Sequence, residues 1–77
     1  MNILRVEFYS GTKRNEIPRN IFTDSGVIRV KKIIETRLEE DYESGKRRRI
    51  FIFRSWEGSL YRLESIGEEL RLIELGD

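Results

Sequence analysis

Two runs of opposite charge flank a Ser-Gly pair in the middle of this chain. Acidic residues fill most of positions 39–43, Ser44-Gly45 follows, and positions 46–49 read Lys-Arg-Arg-Arg. If the chain reverses at Ser44-Gly45 as a two-residue hairpin, glycine supplies the positive φ that such a turn requires, and the two runs face each other. Opposite charges directly across two strands are modestly stabilising. The sequence therefore predicts a long β-hairpin.

The two-residue turn also predicts a register for the whole hairpin. It pairs Leu38 with Phe51 on the face that we expect to be the core, and it pairs Glu35 with Arg54 on the opposite face. In this register apolar residues lie opposite apolar residues and acidic residues opposite basic ones, and this agreement at several positions supports the hairpin more than any single pair does.

Residues 27–42 also fit an amphipathic helix, because apolar side chains recur there at steps of three and four. Such a helix would carry basic residues in its first turns and acidic residues in its last, and each unfavourable charge would cost roughly 0.3–1 kcal/mol against the helix dipole. We therefore prefer the strand and keep a helix over 27–42, in an α+β fold, as the alternative.

Further strands follow from alternation and turn signals. Residues 2–9 alternate, with Leu4, Val6 and Phe8 on one face, and residues 10–19 read as a polar loop. Trp56-Glu57-Gly58 predicts a three-residue hairpin loop with Gly58 at positive φ. That loop pairs Phe53 with Tyr61. A turn at 65–68 precedes a last strand over 69–75, whose register stays open.

The predicted fold is all-β, a single small domain over residues 1–77. It is an antiparallel meander of five or six short strands. A twisted sheet of this size hides its edges by curling, so we expect an SH3-like or OB-like barrel.

Composition narrows the function classes. The chain has no cysteine and no histidine, which removes disulfides, thiolate metal sites and the commonest general base. We find no GxGxxG, P-loop or nucleophile elbow, and we expect no enzyme activity, no cofactor and no metal. Charged residues make up 38% of the chain while the net charge is +1. Abundant paired charge is typical of thermophilic proteins. We expect a thermophilic, cytoplasmic protein without a signal peptide or membrane partner.

Basic side chains alternate with aromatic ones on the second arm of the hairpin and the strand after it. Single-stranded RNA and DNA are bound by such surfaces, because arginine contacts phosphate and aromatic rings stack on bases. The residues predicted to bind nucleic acid are Arg47, Arg49, Arg54 and Trp56, with Lys13 and Arg14 from the first loop.

Two other interpretations stay open. The arginines could simply pair with the acidic run, with Phe51 and Phe53 in the core. An apolar stripe edged by charge could instead bind a protein partner or a second copy of the chain. Its predicted residues are Ile33, Ile50, Ile52 and Trp56.

Overall fold

The computed structural model describes residues 2–9, 17–40 and 42–76, which form six antiparallel strands and no helix. The strands are β1 (Ile3–Tyr9), β2 (Ile17–Thr23), β3 (Gly26–Glu40), β4 (Arg47–Ser55), β5 (Leu60–Ile66) and β6 (Glu69–Gly76). Each pairs with the next along the chain. The two edge strands, β1 and β6, approach each other, so the sheet curls into a half-barrel.

The all-β, barrel-like class predicted from the sequence is confirmed. The alternative helix over 27–42 is wrong, because β3 occupies this segment. Within the described ranges, no helix is long and apolar enough to cross a membrane.

Strand β3 belongs to both halves of the sheet. Its first residues, 26–29, pair with β2, and from Val30 onwards it pairs with β4. Two register shifts interrupt the β3–β4 ladder, one between Val30 and Lys32 and one between Ile33 and Glu35. Such bulges bend a strand and increase its twist. They let one strand of 15 residues turn from the β2 half to the β4 half.

The core lies between the two halves of the curled sheet. Its buried members are Ile21, Ile28, Phe51, Phe53, Tyr61 and Leu63. At its centre the rings of Phe53 and Tyr61 stack with their centroids 5.5 Å apart. These two residues are direct cross-strand partners. The predicted Phe53–Tyr61 pair is therefore confirmed, and so is the positive φ of Gly58, at 96°.

The predicted register of the β3–β4 hairpin is wrong by two residues. Thr36 pairs with Phe51, and Leu38 pairs with Arg49. The last pair before the turn is Glu40 with Arg47, so the described part of the connection, residues 42–46, is already longer than a two-residue turn. Leu38 consequently extends beyond the core and is 58% exposed.

The turn itself keeps one predicted feature, since Gly45 adopts a positive φ of 70°. The charge runs still meet in the shifted register. The Nε of Arg47 lies 3.0 Å from a carboxylate oxygen of Glu40, and Arg48 lies 4.0 Å from Glu39. Long runs of like charge satisfy both registers, so charge matching did not choose between them.

The first strand departs from simple alternation. Ile3 and Val6 pack against the core, while Leu4 is 70% exposed. A register shift between Ile3 and Arg5 in the β1–β2 ladder explains this, because the extra residue moves the following side chains to the other face. The last strand begins after the turn Gly67-Glu68.

Burial makes the Tyr61 hydroxyl a reporter of the core. Burial raises its pKa above the ordinary value of 10.0, and the carboxylates of Glu74 and Glu57 raise it further. The folded protein therefore keeps this proton at a pH where the unfolded chain loses it. The raised pKa of Tyr61 therefore contributes to the free energy of unfolding, fully below pH 10 and progressively less as the pH rises above it.

We expect the free energy of unfolding, measured with urea, to fall above about pH 10. Tyr61→Phe should reduce this alkaline loss, since phenylalanine has no proton to release. Tyr9→Phe, at an exposed position, is the control. An alkaline loss of equal size in the Tyr61→Phe variant and the wild type would contradict the assignment.

Candidate nucleic-acid interface

The sequence-predicted arginines lie at opposite ends of β4. Arg47 and Arg49 are next to the β3–β4 turn, whereas Arg54 and Trp56 are at the β4–β5 turn. Arg54 follows Arg47 by seven residue steps of extended strand, which corresponds to roughly 23 Å at about 3.3 Å per step. The structure therefore divides the predicted site into two separate surfaces.

The end that carries Arg47 is neutralised by acids. Besides the Arg47–Glu40 and Arg48–Glu39 pairs, a shallow cavity of about 230 Å³ is lined there by side chains of both signs. Arg49 is half-buried and forms no ion pair with a described residue. This end fits the interpretation in which the arginines mainly pair with the acidic run.

Ion pairs also cover the outer face of the sheet, which is opposite the core. Arg62 lies 2.7 Å from a carboxylate oxygen of Glu64, which is itself buried, and Arg37 lies 2.9 Å from Glu35. The residue between these pairs on β4, Ile50, is 2% exposed. Acidic partners thus occupy Arg37 and Arg62, the arginines in the middle of this face.

The other end of the molecule has cations without acidic partners. We call it the basic end; it comprises Arg19, Arg29, Lys31, Lys32 and Arg54. None of them forms an ion pair with any residue of the described ranges. The prediction that Glu35 lies opposite Arg54 is wrong. Lys32 is the residue opposite Arg54, and like charges directly across two strands repel each other.

The β4–β5 turn presents an aromatic ring beside these cations. Trp56 is 59% exposed, and its backbone N–H donates to the carbonyl oxygen of Arg29 over 3.1 Å. The Nζ of Lys31 lies 5.3 Å from the centroid of the indole ring, a cation–π distance. The Nη1 of Arg54 donates to the Gly58 carbonyl over 2.7 Å. One acid, Glu57, shares the turn.

A groove of about 320 Å³ opens between β2 and β3 next to this turn. It exists because the β2–β3 ladder ends at Asn20 and Arg29, after which β3 bends away through its bulge at Lys31. The lining residues are Tyr9, Ile17, Pro18, Arg19, Val30, Lys31 and Ile33. Within the described part of the chain they are apolar, aromatic or basic, so the groove combines stacking surface with positive charge.

The remaining predicted site residues have different positions. Lys13 and Arg14 lie outside the described residues, in the connection between the groove residues Tyr9 and Ile17. Ile33 packs against the core, whereas Ile50 and the half-buried Ile52 are on the other side of the sheet. The structure does not bring these isoleucines together with Trp56 in one exposed stripe.

Sequence reasoning missed Arg29, Lys31 and Lys32 as site residues. The sequence feature that could have indicated them is the basic run Arg29-Val30-Lys31-Lys32, which no acidic residue follows before Glu35. In the predicted register Glu35 faced Arg54, so this run was not joined to the β4–β5 turn. No three potential metal-ligating side chains come together among residues 2–9, 17–40 and 42–76.

Comparison with models of protein families, with curated proteins and with solved structures finds no significant match to this chain.

Proposed function

We propose that the protein is a non-enzymatic binding module that binds single-stranded nucleic acid at its basic end. The observation that carries the proposal is the segregation of charge. Arg37 and Arg62 in the middle of the outer face have acidic partners, while Lys32 and Arg54 face each other without an acidic partner among the described residues. A phosphate between two cations relieves their repulsion, so an anion stabilises the arrangement.

The groove and the indole ring account for the preference for single strands. Bases that are not paired can stack on an exposed aromatic face while the backbone follows the cations. Trp56 and Tyr9 offer such faces, at 59% and 58% exposure, close to Lys31 and the groove. Stacking accepts any base, so we expect little sequence preference.

A titration with a fluorescently labelled oligonucleotide at low salt tests the proposal. We expect Trp56→Ala to lose about 1–3 kcal/mol of binding free energy, because one stacking platform is removed. Tyr42→Ala is the matched control, since Tyr42 is an exposed aromatic residue at the opposite, acid-neutralised end. Its affinity should equal that of the wild type. The chain has one tryptophan, so quenching of its fluorescence reports binding at the site directly.

Two results would contradict the proposal. One is the absence of binding at tens of micromolar protein in low salt. The other is equal affinity of the Trp56→Ala and Tyr42→Ala variants, which would mean that an oligonucleotide binds somewhere else.

A cytoplasmic, thermophilic setting belongs to the same proposal. The 38% share of charged residues and the ion pairs of the outer face support the thermophilic part, because the desolvation penalty of ion pairs falls as the temperature rises. A thermal midpoint in the mesophilic range of about 45–65 °C would contradict it.

A further inference from the structure

Among the described residues, the edge of β3 that is directed away from β4, its outer edge, has no partner strand over most of its length. Strand β2 pairs with it only as far as Arg29, and beyond that residue no described strand pairs with this edge. An open edge presents unpaired N–H and C=O groups, which makes it a template for another strand. Ile34 and Leu38 project from this stretch and are 52% and 58% exposed. Because these apolar side chains are exposed to water, pairing of the edge with another strand is favoured.

Charge along this edge changes sign from one end to the other. Lys31 and Lys32 come first, Glu35 and Arg37 follow near the middle, and residues 39–40 are both glutamate. Two copies of such a strand that run antiparallel place the basic end of one beside the acidic end of the other. The edge is therefore complementary to itself.

The geometry of an antiparallel ladder restricts the register of such a pair. Two residues that lie opposite each other in an antiparallel ladder either both point their N–H and C=O groups at the partner strand or both point them away from it. Along one strand, the residues that point these groups at a given edge recur at every second position. A two-fold symmetric pairing of this edge must then be centred on a residue. If the pairing is centred on Glu35, the Glu35 carboxylates of the two copies lie opposite each other. If it is centred on Arg37, the two Arg37 guanidinium groups lie opposite each other.

Among the centres at residues 35 to 37, which bring the oppositely charged ends of the two edges together, only the centre at Thr36 avoids a pair of like charges. It places Glu35 opposite Arg37 of the second copy and Ile34 opposite Leu38 of the second copy, each twice by symmetry. Glu35 and Arg37 already form an ion pair within one chain, with 2.9 Å between Nε and the carboxylate oxygen. Two copies would join these pairs into a network of four charges.

We propose that two copies of the protein pair through the outer edges of their β3 strands, antiparallel and centred on Thr36. The interface is isologous, with the same residues contributed by both copies. It extends the sheet across the dimer, as in strand addition to an open edge. The regular part of the ladder is short, because the bulge between Ile33 and Glu35 interrupts it in each copy. We therefore expect a dimer that dissociates at micromolar concentrations.

Sedimentation equilibrium of the full chain, from micromolar to millimolar concentration and without nucleic acid, tests the dimer. Arg37→Glu places carboxylates opposite each other at both symmetric positions, and we expect dimerisation to weaken by about tenfold or more. The double variant Glu35→Arg with Arg37→Glu exchanges the charges and should restore the wild-type dissociation constant. Amide exchange of residues 34–38 should slow as the wild-type concentration rises.

Arg71→Glu is the matched control. It makes the same charge change and breaks a similar same-strand ion pair, Arg71 with Glu69, on the edge strand β6. Its dissociation constant should equal that of the wild type. A wild type that stays monomeric to millimolar concentration overturns the proposal. It is also overturned if Arg71→Glu weakens the dimer as much as Arg37→Glu, or if the charge exchange fails to restore it. Arg37→Glu leaves the side chains of the basic end unchanged. The dimer brings the acidic end of the second copy beside Lys32, so oligonucleotide binding is measured at concentrations where the chain is monomeric, which tests the two proposals separately.

Discussion

Phe53→Ala should lower the free energy of unfolding by about 3–5 kcal/mol. Phe53 is fully buried at the centre of the core, and its ring stacks on Tyr61. Its removal leaves a cavity that the strands on either side cannot close, since both are fixed by their ladders. A chain of 77 residues has a total stability of only about 4–12 kcal/mol. The variant should therefore unfold at a much lower urea concentration, or fail to fold at elevated temperature.

Leu38→Ala is the control for this prediction. Leu38 is a large apolar residue on the adjacent strand of the same hairpin, but it lies beyond the core. At concentrations where the chain is monomeric, its replacement should cost less than about 1 kcal/mol. The predicted hairpin register, with Leu38 in the core, would instead make the two losses similar. Urea unfolding of both variants distinguishes these outcomes.

Reversing the charge of Lys31 and Lys32 together, with Lys31→Glu and Lys32→Glu, should weaken oligonucleotide binding by more than about a hundredfold at low salt. Lys31 lies over the Trp56 ring and lines the groove, and Lys32 is the cross-strand neighbour of Arg54. Loss of two phosphate contacts should also reduce the slope of log affinity against log salt by about 1.4, at roughly 0.7 per phosphate of a single strand.

The double variant Arg47→Glu with Arg48→Glu is the control, because it changes the net charge of the protein by the same amount. Both arginines already have acidic partners, Glu40 and Glu39. We expect this control to lose only a few-fold in affinity, through the long-range field. Equal losses in the two double variants would show that net charge, and not the basic end, determines binding.

Local features of the sequence determined the β4–β5 hairpin. The three-residue loop at 56–58, with glycine at its last position, fixes the β4–β5 register without help from the rest of the chain. Phe53 therefore meets Tyr61 as predicted. The strand character of β3 was also readable, because its charges oppose a helix dipole and match those of β4.

The register of the β3–β4 hairpin and the position of the candidate site were decided by the tertiary structure. A cross-strand ion pair contributes well under about 1 kcal/mol, and the two charge runs still oppose each other near the turn when displaced by two residues. Burial of Ile33 and Phe53 in the core stabilises the fold by more than the free energy of charge pairing differs between the two registers. The register that buries them contains two bulges in β3. The two-residue shift of register and the bulge between Ile33 and Glu35 together place Lys32 instead of Glu35 opposite Arg54. The bend of β3 also opens the groove beside β2 and leaves the outer edge of β3 without a partner strand among the described residues. A sequence pattern of period two contains no signal for such an inserted residue, because the bulge is set by contacts between strands that are distant along the chain.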